Sequence, residues 1–189
     1  MKLLHIDSSI SGGNSVSRRL TAGIVERLKA ENPALSVTHY DLDSAPFAFL
    51  SSAAFADAAE QAAGEKAIRD FQEADVLVLG APMYNFSVPA QLKAWIDRIA
   101  VAGKTFRYTA DGPEGLSGGK RVIVASTRGG VYSGDLSHLD HQESYLKTVF
   151  GFLGITDVSF IRAEGVNLSA ENKEKAVGEA ETQILALAA

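Results

Sequence analysis

Three serines near the N-terminus have the spacing and the context of a phosphate-binding loop. Ser9, Ser15 and Ser17 lie in a segment rich in serine and glycine, between an apolar run that ends at Asp7 and a helical pattern that begins near Ser15. The N-terminus of a helix leaves backbone N–H groups unpaired and has a partial positive charge, and serine hydroxyls can donate further hydrogen bonds to an anion. The segment predicts a phosphate site, although a capped helix after a flexible turn would give the same pattern.

A second segment combines a thioether, an amide and two aromatic rings. Pro82, Met83, Tyr84, Asn85 and Phe86 directly follow the most apolar stretch of the chain. Backbone groups, the amide and the flat side chains suit one edge and one face of a planar heteroaromatic ring. The same string could also cover the end of a hydrophobic core.

A third segment, Thr127, Arg128, Gly129 and Gly130, offers backbone amides that a ligand can approach closely because glycine has no Cβ. Alone, it is equally consistent with a glycine turn. Taken together, the three segments indicate a mononucleotide that carries a planar ring system, and flavin mononucleotide (FMN) fits best.

The elements between these segments explain how they could meet. The pattern predicts five strands that alternate with helices: Lys2–Asp7, Leu35–Asp41, Val76–Pro82, Arg121–Thr127 and a strand with Val158–Ile161 at its centre. This alternation is typical of a parallel sheet with helices on both faces, in which ligands bind beyond the carboxyl ends of the strands.

Between the strands, helices are expected from about Ser15 to Asn32, over Ser52–Ala74, from Pro89 to Ile99, around Leu146–Leu153 up to Gly154, and after Ser169. Gly103–Gly119 is expected to be a long connection.

Composition narrows the possible functions. The 189 residues predict one domain over 1–189, and the absence of cysteine excludes disulfide scaffolds, thiolate metal sites and cysteine nucleophiles. A net charge of -5 argues against a nucleic-acid binder, and no apolar run has the ~20 residues of a membrane span. We therefore expect a cytoplasmic protein without nucleic-acid or membrane partners.

The chain resembles the FMN-dependent NADH:quinone oxidoreductase or azoreductase family, which has a flavodoxin-like fold. The resemblance rests on the serine segment, the strings Ala81–Phe86, Thr105–Thr109 and Gly112–Leu116, and further matches in family order: Thr127–Gly130, Phe152–Val158 and Ala163–Gly165. These strings span nearly the whole chain. The resemblance implies a three-layer α/β fold with a five-stranded parallel sheet of order 2-1-3-4-5.

The resemblance also implies one bound FMN per subunit and NADH or NADPH as a transient co-substrate. The residues that it assigns to FMN are Ser9, Ser15, Val16, Ser17, Pro82, Met83, Tyr84, Asn85, Phe86, Thr127, Arg128, Gly129 and Gly130. The hydride passes through N5 of the flavin in ping-pong order to a quinone or an aromatic azo compound, and no side chain is assigned as acid or base. Family members are homodimers with active sites at the interface, so Tyr108 is expected to cover the partner's flavin.

The substrate pocket is expected to include Phe86, Tyr108, Tyr132 and Arg162. Tyr132 stands where some relatives carry a histidine, and Arg162 where an aromatic residue often lines the pocket. A guanidinium would change the charge offered to sulfonated or carboxylated dyes. The preferred acceptor and the choice between NADH and NADPH stay open.

One other interpretation remains. A flavodoxin-type FMN electron carrier would share the fold and the cofactor, but such carriers dock through strongly acidic faces, and the chain is only mildly acidic. No metal site is predicted: His138 and His141 lack a matching third ligand, His5 is expected to be a core histidine with its polar atoms satisfied, and His39 a residue of the strand surface.

Overall fold

Five strands form one parallel sheet in the computed structural model, which describes residues 1–187. Seven strands occur within these residues: β1 (Lys2–Asp7), β2 (Ser36–Asp41), β3 (Val76–Pro82), β4 (Phe106–Thr109), β5 (Gly112–Gly115), β6 (Arg121–Thr127) and β7 (Asp157–Ala163). The α-helices are α1 (Val16–Glu31), α2 (Ser52–Ala56), α3 (Ala58–Glu73), α4 (Ala90–Ile99), α5 (Glu143–Phe152) and α6 (Ala170–Leu185). Short 3₁₀ helices span Gly12–Asn14 and Gly134–Leu139.

The order of the sheet is β2-β1-β3-β6-β7, with every pair parallel. The predicted order was 2-1-3-4-5, and the numbering differs because β4 and β5 lie outside this sheet and pair antiparallel with each other. The segment Gly103–Gly119, predicted as a long connection, thus contains a β-hairpin. Gly112 has φ 119 in its turn, and an ion pair between Arg107 and Glu114 joins its strands.

The predicted helix over Ser52–Ala74 is two helices. Asp57 ends α2 and caps α3, since its carboxylate accepts a hydrogen bond of 2.9 Å from the Glu60 N–H. Other boundaries are confirmed: β6 has the predicted bounds, Ser169 caps α6, and Gly154 follows α5 with φ 90.

Two hydrophobic clusters cover the two faces of the sheet. Leu77 and Leu79 of β3 pack into the cluster formed with α3, α4 and α5, whereas Val76 and Val78 pack with α1 and α6. All seven residues of β3 are buried, which is why its sequence lacks polar alternation. The buried sheet fixes the positions of the loops at its carboxyl edge. No helix within residues 1–187 has both the length and the apolar character that a membrane crossing needs.

Candidate functional site

The three segments singled out in the sequence meet in one cleft at the carboxyl edge of the sheet. Of the residues predicted to bind FMN, nine line this cleft: Ser9, Ser15, Val16, Pro82, Met83, Tyr84, Thr127, Arg128 and Gly129. The cleft wall also includes Asn167 and Lys173, which sequence reasoning missed. A signal was available, because the loop after β7 starts at the same edge of the sheet as the other three.

The serine loop ends in a capped helix. Ser15 is the N-cap of α1, and its Oγ accepts a hydrogen bond of 3.3 Å from the Arg18 N–H. The first N–H groups of α1 have no partner within the helix and are available to an anion. Ser17 is 1% exposed, and its Oγ lies 3.1 Å from Ser15 Oγ. Its hydroxyl is therefore hydrogen-bonded to that of Ser15 and does not line the cleft itself.

Arg18 fixes the position of this loop from the side. Its guanidinium donates to the Ser9 carbonyl at 2.9 Å and forms two hydrogen bonds, of 2.9 and 2.6 Å, with the Asp41 carboxylate. Ser9 itself is 2% exposed, and its Oγ lies 3.3 Å from the Tyr84 hydroxyl. The first and second segments are therefore joined directly.

The second segment forms a tight turn. The Tyr84 N–H donates to the Ser87 carbonyl at 2.9 Å, and the Ser87 N–H donates to the Tyr84 carbonyl at 3.1 Å. Asn85 and Phe86, at the two central positions, have φ 49 and 70, as a type I′ turn requires. Positive φ costs free energy in any residue but glycine. The turn holds the Phe86 ring half-exposed, with the Tyr132 ring edge-on at 6.0 Å.

The third segment presents its backbone to the cleft. The Arg128 side chain is 2% exposed and forms ion pairs with three carboxylates: Asp140 at 2.7 Å, Glu143 at 2.7 Å and Glu164 at 2.8 Å. The positive charge of Arg128 is thus neutralised by carboxylates of the protein. A ligand in the cleft can therefore bind the backbone of Arg128 but not its guanidinium.

Burial raises the pKa of Glu164, but hydrogen bonds from the Tyr132 N–H and from Arg128 outweigh burial, and its pKa lies below the ordinary value. Glu164 is therefore ionised at neutral pH, as a partner of Arg128 must be.

Gln142 ties the second and third segments together, and no pattern in the sequence indicated it. Its side-chain N–H donates to the Ala81 carbonyl at 2.6 Å, while its Oε1 accepts from Ser126 at 3.0 Å and from Arg128 at 3.2 Å. Gln142 is fully buried. Because its three partners lie just before or within the loops, Gln142 fixes the spacing between the two walls of the cleft.

The residues predicted for the substrate pocket are not all brought together. Phe86 and Tyr132 touch each other, whereas Arg162 is half-exposed and forms two hydrogen bonds of 2.6 Å with Glu143. Tyr108 is 74% exposed on β4 and lines a different groove, with Leu50 and Phe55. Within one chain, Tyr108 is therefore separate from the cleft.

The cleft fits a phosphate joined to a flat ring. Buried serine hydroxyls and the start of α1 form its anion-binding end, and Lys173 adds a positive charge to its wall. A Cβ at Gly129 would come within 2.7 Å of Asn167 Nδ2, so any larger residue there would have to displace the Asn167 side chain. Tyr84 and Met83 provide flat and apolar contact area. These are the donors and surfaces that FMN requires.

Comparisons with known proteins agree with this geometry. Residues 1–188 match a family described as having a flavodoxin-like fold. The chain is 57% identical over 196 aligned positions to the FMN-dependent NADH:quinone oxidoreductase of Sinorhizobium fredii, covering 97% of this chain and 95% of that one. It is 54% identical over 182 positions to FMN-dependent NADH:quinone oxidoreductase 1 of Xanthomonas axonopodis pv. citri, covering 95% and 93%.

A solved structure shows the same architecture. The FMN-dependent NADH-azoreductase from Bacillus anthracis, determined in complex with FMN, superposes with a TM-score of 0.86 at 27% identity and covers 100% of this chain and 99% of that one. The chain therefore belongs to the flavodoxin-like fold family and, within it, to the family of the FMN-dependent NADH:quinone oxidoreductases.

Proposed function

We propose that the cleft binds FMN and that the protein is an FMN-dependent NADH:quinone oxidoreductase that also cleaves aromatic azo compounds reductively to amines. The observation that carries the proposal is the meeting of the serine-capped end of α1 with the Tyr84–Ser87 turn in one cleft. The names of the relatives and of the solved structure support the same chemistry.

Each part of the cleft has its own task in this proposal. Ser9, Ser15 and the N–H groups of Val16 and Ser17 would hold the phosphate, and Lys173 lines the same cleft. Pro82, Met83 and Tyr84 of the cleft, with Asn85 and Phe86 of the adjoining turn, would hold the isoalloxazine. The backbone of Thr127–Gly130 would bind its polar edge.

The chemistry supplied by bound FMN is two-electron transfer from a reduced nicotinamide, taken up through N5, to a quinone or an azo compound. The chain's own residues orient the reactants and exclude water from one face of the ring. Phe86 and Tyr132 form an apolar wall for the acceptor. Because one face serves both reactants, the nicotinamide has to leave before the acceptor enters, and the kinetics are ping-pong.

We also propose a cytoplasmic homodimer in which Tyr108 of each chain covers the other chain's flavin. Tyr108 stands beside an apolar groove of about 860 Å³, with the exposed side chains of Leu50 and Phe55 in its wall. An exposed apolar surface of this kind is typical of an interaction site. We further propose that NADPH can replace NADH as the co-substrate. We also propose that residues 1–189 form one domain.

The test is reconstitution of the purified chain with FMN, followed by initial-velocity kinetics with NADH and a quinone. We expect flavin absorbance after removal of free FMN, and parallel lines in double-reciprocal plots. Absence of bound flavin would overturn the cofactor, and intersecting lines would overturn the shared face. A strong EPR radical signal during reductive titration would favour a one-electron carrier instead.

Arg162 can be tested with a panel of quinones and of neutral and sulfonated azo dyes. Its side chain is half-exposed and can contact a substrate, and Glu143 neutralises part of its charge. We expect Arg162→Phe to lower kcat/KM for sulfonated dyes more than for neutral ones. An unchanged preference would mean that Arg162 does not line the pocket.

A further inference from the structure

Three metal-ligating side chains lie together outside the cleft, on the face of the sheet that α1 covers. His5 and Asp7 are two residues apart on β1 and so project to the same face, and His39 on the edge strand β2 is the register partner of His5. The His5 and His39 rings stack with their centroids 4.3 Å apart. This places both imidazoles beside the Asp7 carboxylate.

The distances within this cluster match those of a metal site. Asp7 Oδ2 lies 3.0 Å from His39 Nε2 and 3.3 Å from His5 Nε2, and all three ligand atoms lie within 4.8 Å of one another. Ligand atoms bound tetrahedrally at zinc distances of about 2.0–2.1 Å are roughly 3.3 Å apart. The two distances to Asp7 Oδ2 are therefore already close to that spacing, and the third separation, at most 4.8 Å, has to shorten only moderately when an ion binds.

His5 has an unsatisfied nitrogen that points into the cluster. The residue is 9% exposed, and its Nε2 is buried without a hydrogen-bond partner among the described residues, because its approach to Asp7 lacks hydrogen-bond geometry. The prediction that His5 is a core histidine is correct, but the prediction that its polar atoms are satisfied is wrong. Buried polar atoms without partners are rare and costly, and a metal ion would complete this one.

Neighbouring side chains orient the Asp7 carboxylate so that one of its oxygens can bind a metal ion. Thr21 donates a hydrogen bond of 2.8 Å to Asp7 Oδ1, which leaves Oδ2 facing the imidazoles. Arg18 Nη1, 3.9 Å from Oδ2, opposes a cation, although Asp41 balances its charge through two hydrogen bonds.

We propose that His5 Nε2, His39 Nε2 and Asp7 Oδ2 bind a divalent transition-metal ion of the Zn²⁺ class. Two imidazoles and one carboxylate suit zinc, copper or nickel rather than calcium or magnesium, which prefer oxygen ligands. His39 is about half exposed, so the ion can enter from solvent and keep a water molecule as its fourth ligand. The bound ion would fasten the edge strand β2 to β1 directly before the serine loop.

The experiment is isothermal titration of Zn²⁺ into tag-free, FMN-loaded protein, with His39→Gln and His138→Gln compared. His39 is an exposed ligand whose replacement leaves the core intact, whereas His138 is an exposed histidine outside the cluster. We expect one Zn²⁺ per chain, a Kd at least about tenfold weaker in His39→Gln, and an unchanged Kd in His138→Gln. Co²⁺ should give the intense visible bands of a tetrahedral site in the wild type and lose them in His39→Gln.

Each alternative result counts against the site. No saturable binding by the wild type would overturn it, and so would binding that His39→Gln leaves unchanged. Equal weakening in His138→Gln would show adventitious binding by surface histidines. Flavin absorbance and circular dichroism, recorded on the same samples, separate a failure of metal binding from a failure to fold or to bind FMN.

Discussion

At the scale of single residues, Asn85 and Phe86 concentrate backbone strain at the turn that carries the proposed flavin contacts. With φ 70, Phe86 adopts a conformation that glycine accepts and that a Cβ makes unfavourable. We expect Phe86→Gly to be more stable than Phe86→Ala by about 1 kcal/mol in urea unfolding. At a position with ordinary negative φ, the alanine variant is more stable than the glycine variant. A more stable glycine variant at position 86 would therefore show that the backbone there is strained.

Lys175, exposed on α6, provides the matched control for this comparison. There we expect the alanine variant to be more stable than the glycine variant by about 1 kcal/mol. If alanine were favoured at both positions, the turn would not be strained.

Lys173 is the second residue whose contribution can be isolated. It lines the same cleft as Ser15 and Val16, and we expect its positive charge to contribute to binding of the phosphate. Because a charged hydrogen bond or ion pair to phosphate is stronger than a neutral one, we expect Lys173→Gln to raise the Kd for FMN about three- to tenfold. Fluorescence titration measures this Kd, and the difference should shrink at high salt.

Lys175→Gln changes the same charge two residues further along the helix, where it faces solvent. Equal Kd values for the two lysine variants would contradict a phosphate role for Lys173.

At the scale of elements, Arg18 and Asp41 fasten α1, β2 and the serine loop to one another. The hydrogen bond from Arg18 lowers the pKa of Asp41 from 3.8 to about 2. Since the pKa is lower in the folded state, the ionised carboxylate stabilises the fold above pH 3.8, and this contribution is lost as the pH falls towards 2. Solvent screening reduces its size, because the carboxylate is 31% exposed.

We expect Asp41→Asn to lower the free energy of unfolding by about 1 kcal/mol at neutral pH. The loss should become smaller as the pH is lowered from 3.8 towards 2. Urea unfolding across this range measures it, with Asp111→Asn on the exposed hairpin turn as the control. A loss that did not change with pH would mean that the Asp41 charge does not contribute.

Some elements could be predicted from the sequence and others could not. Local patterns of neighbouring residues predict the bounds of β6, the cap at Ser169 and the three loops, and the tertiary structure leaves these features unchanged. The break at Asp57 was missed because alanines continue on both sides of it, and the β4–β5 hairpin because its strands are only four residues each. Gln142 bonds to Ala81, which lies 61 residues away in the sequence, and no local pattern encodes such a contact.

At the scale of the whole molecule, the separation of Tyr108 from the cleft allows a test of the proposed homodimer. A chain with Tyr108→Ala keeps its own cleft but cannot cover the partner's flavin. A chain with Gly129→Val keeps Tyr108, while its new side chain occupies the space of the Asn167 amide in the cleft wall, and we expect it to lose FMN binding. If the sites are shared, each variant alone should have little activity.

Unfolding and refolding the two variants together should restore activity, because a mixed dimer combines one intact cleft with one intact Tyr108. Random pairing makes half of the dimers mixed, each with one complete site, so about a quarter of the wild-type activity is expected. Light scattering measures the oligomeric state of the same samples. Activity that did not exceed the sum of the separate variants would mean that each chain works alone, and that the apolar groove beside Tyr108 serves another purpose.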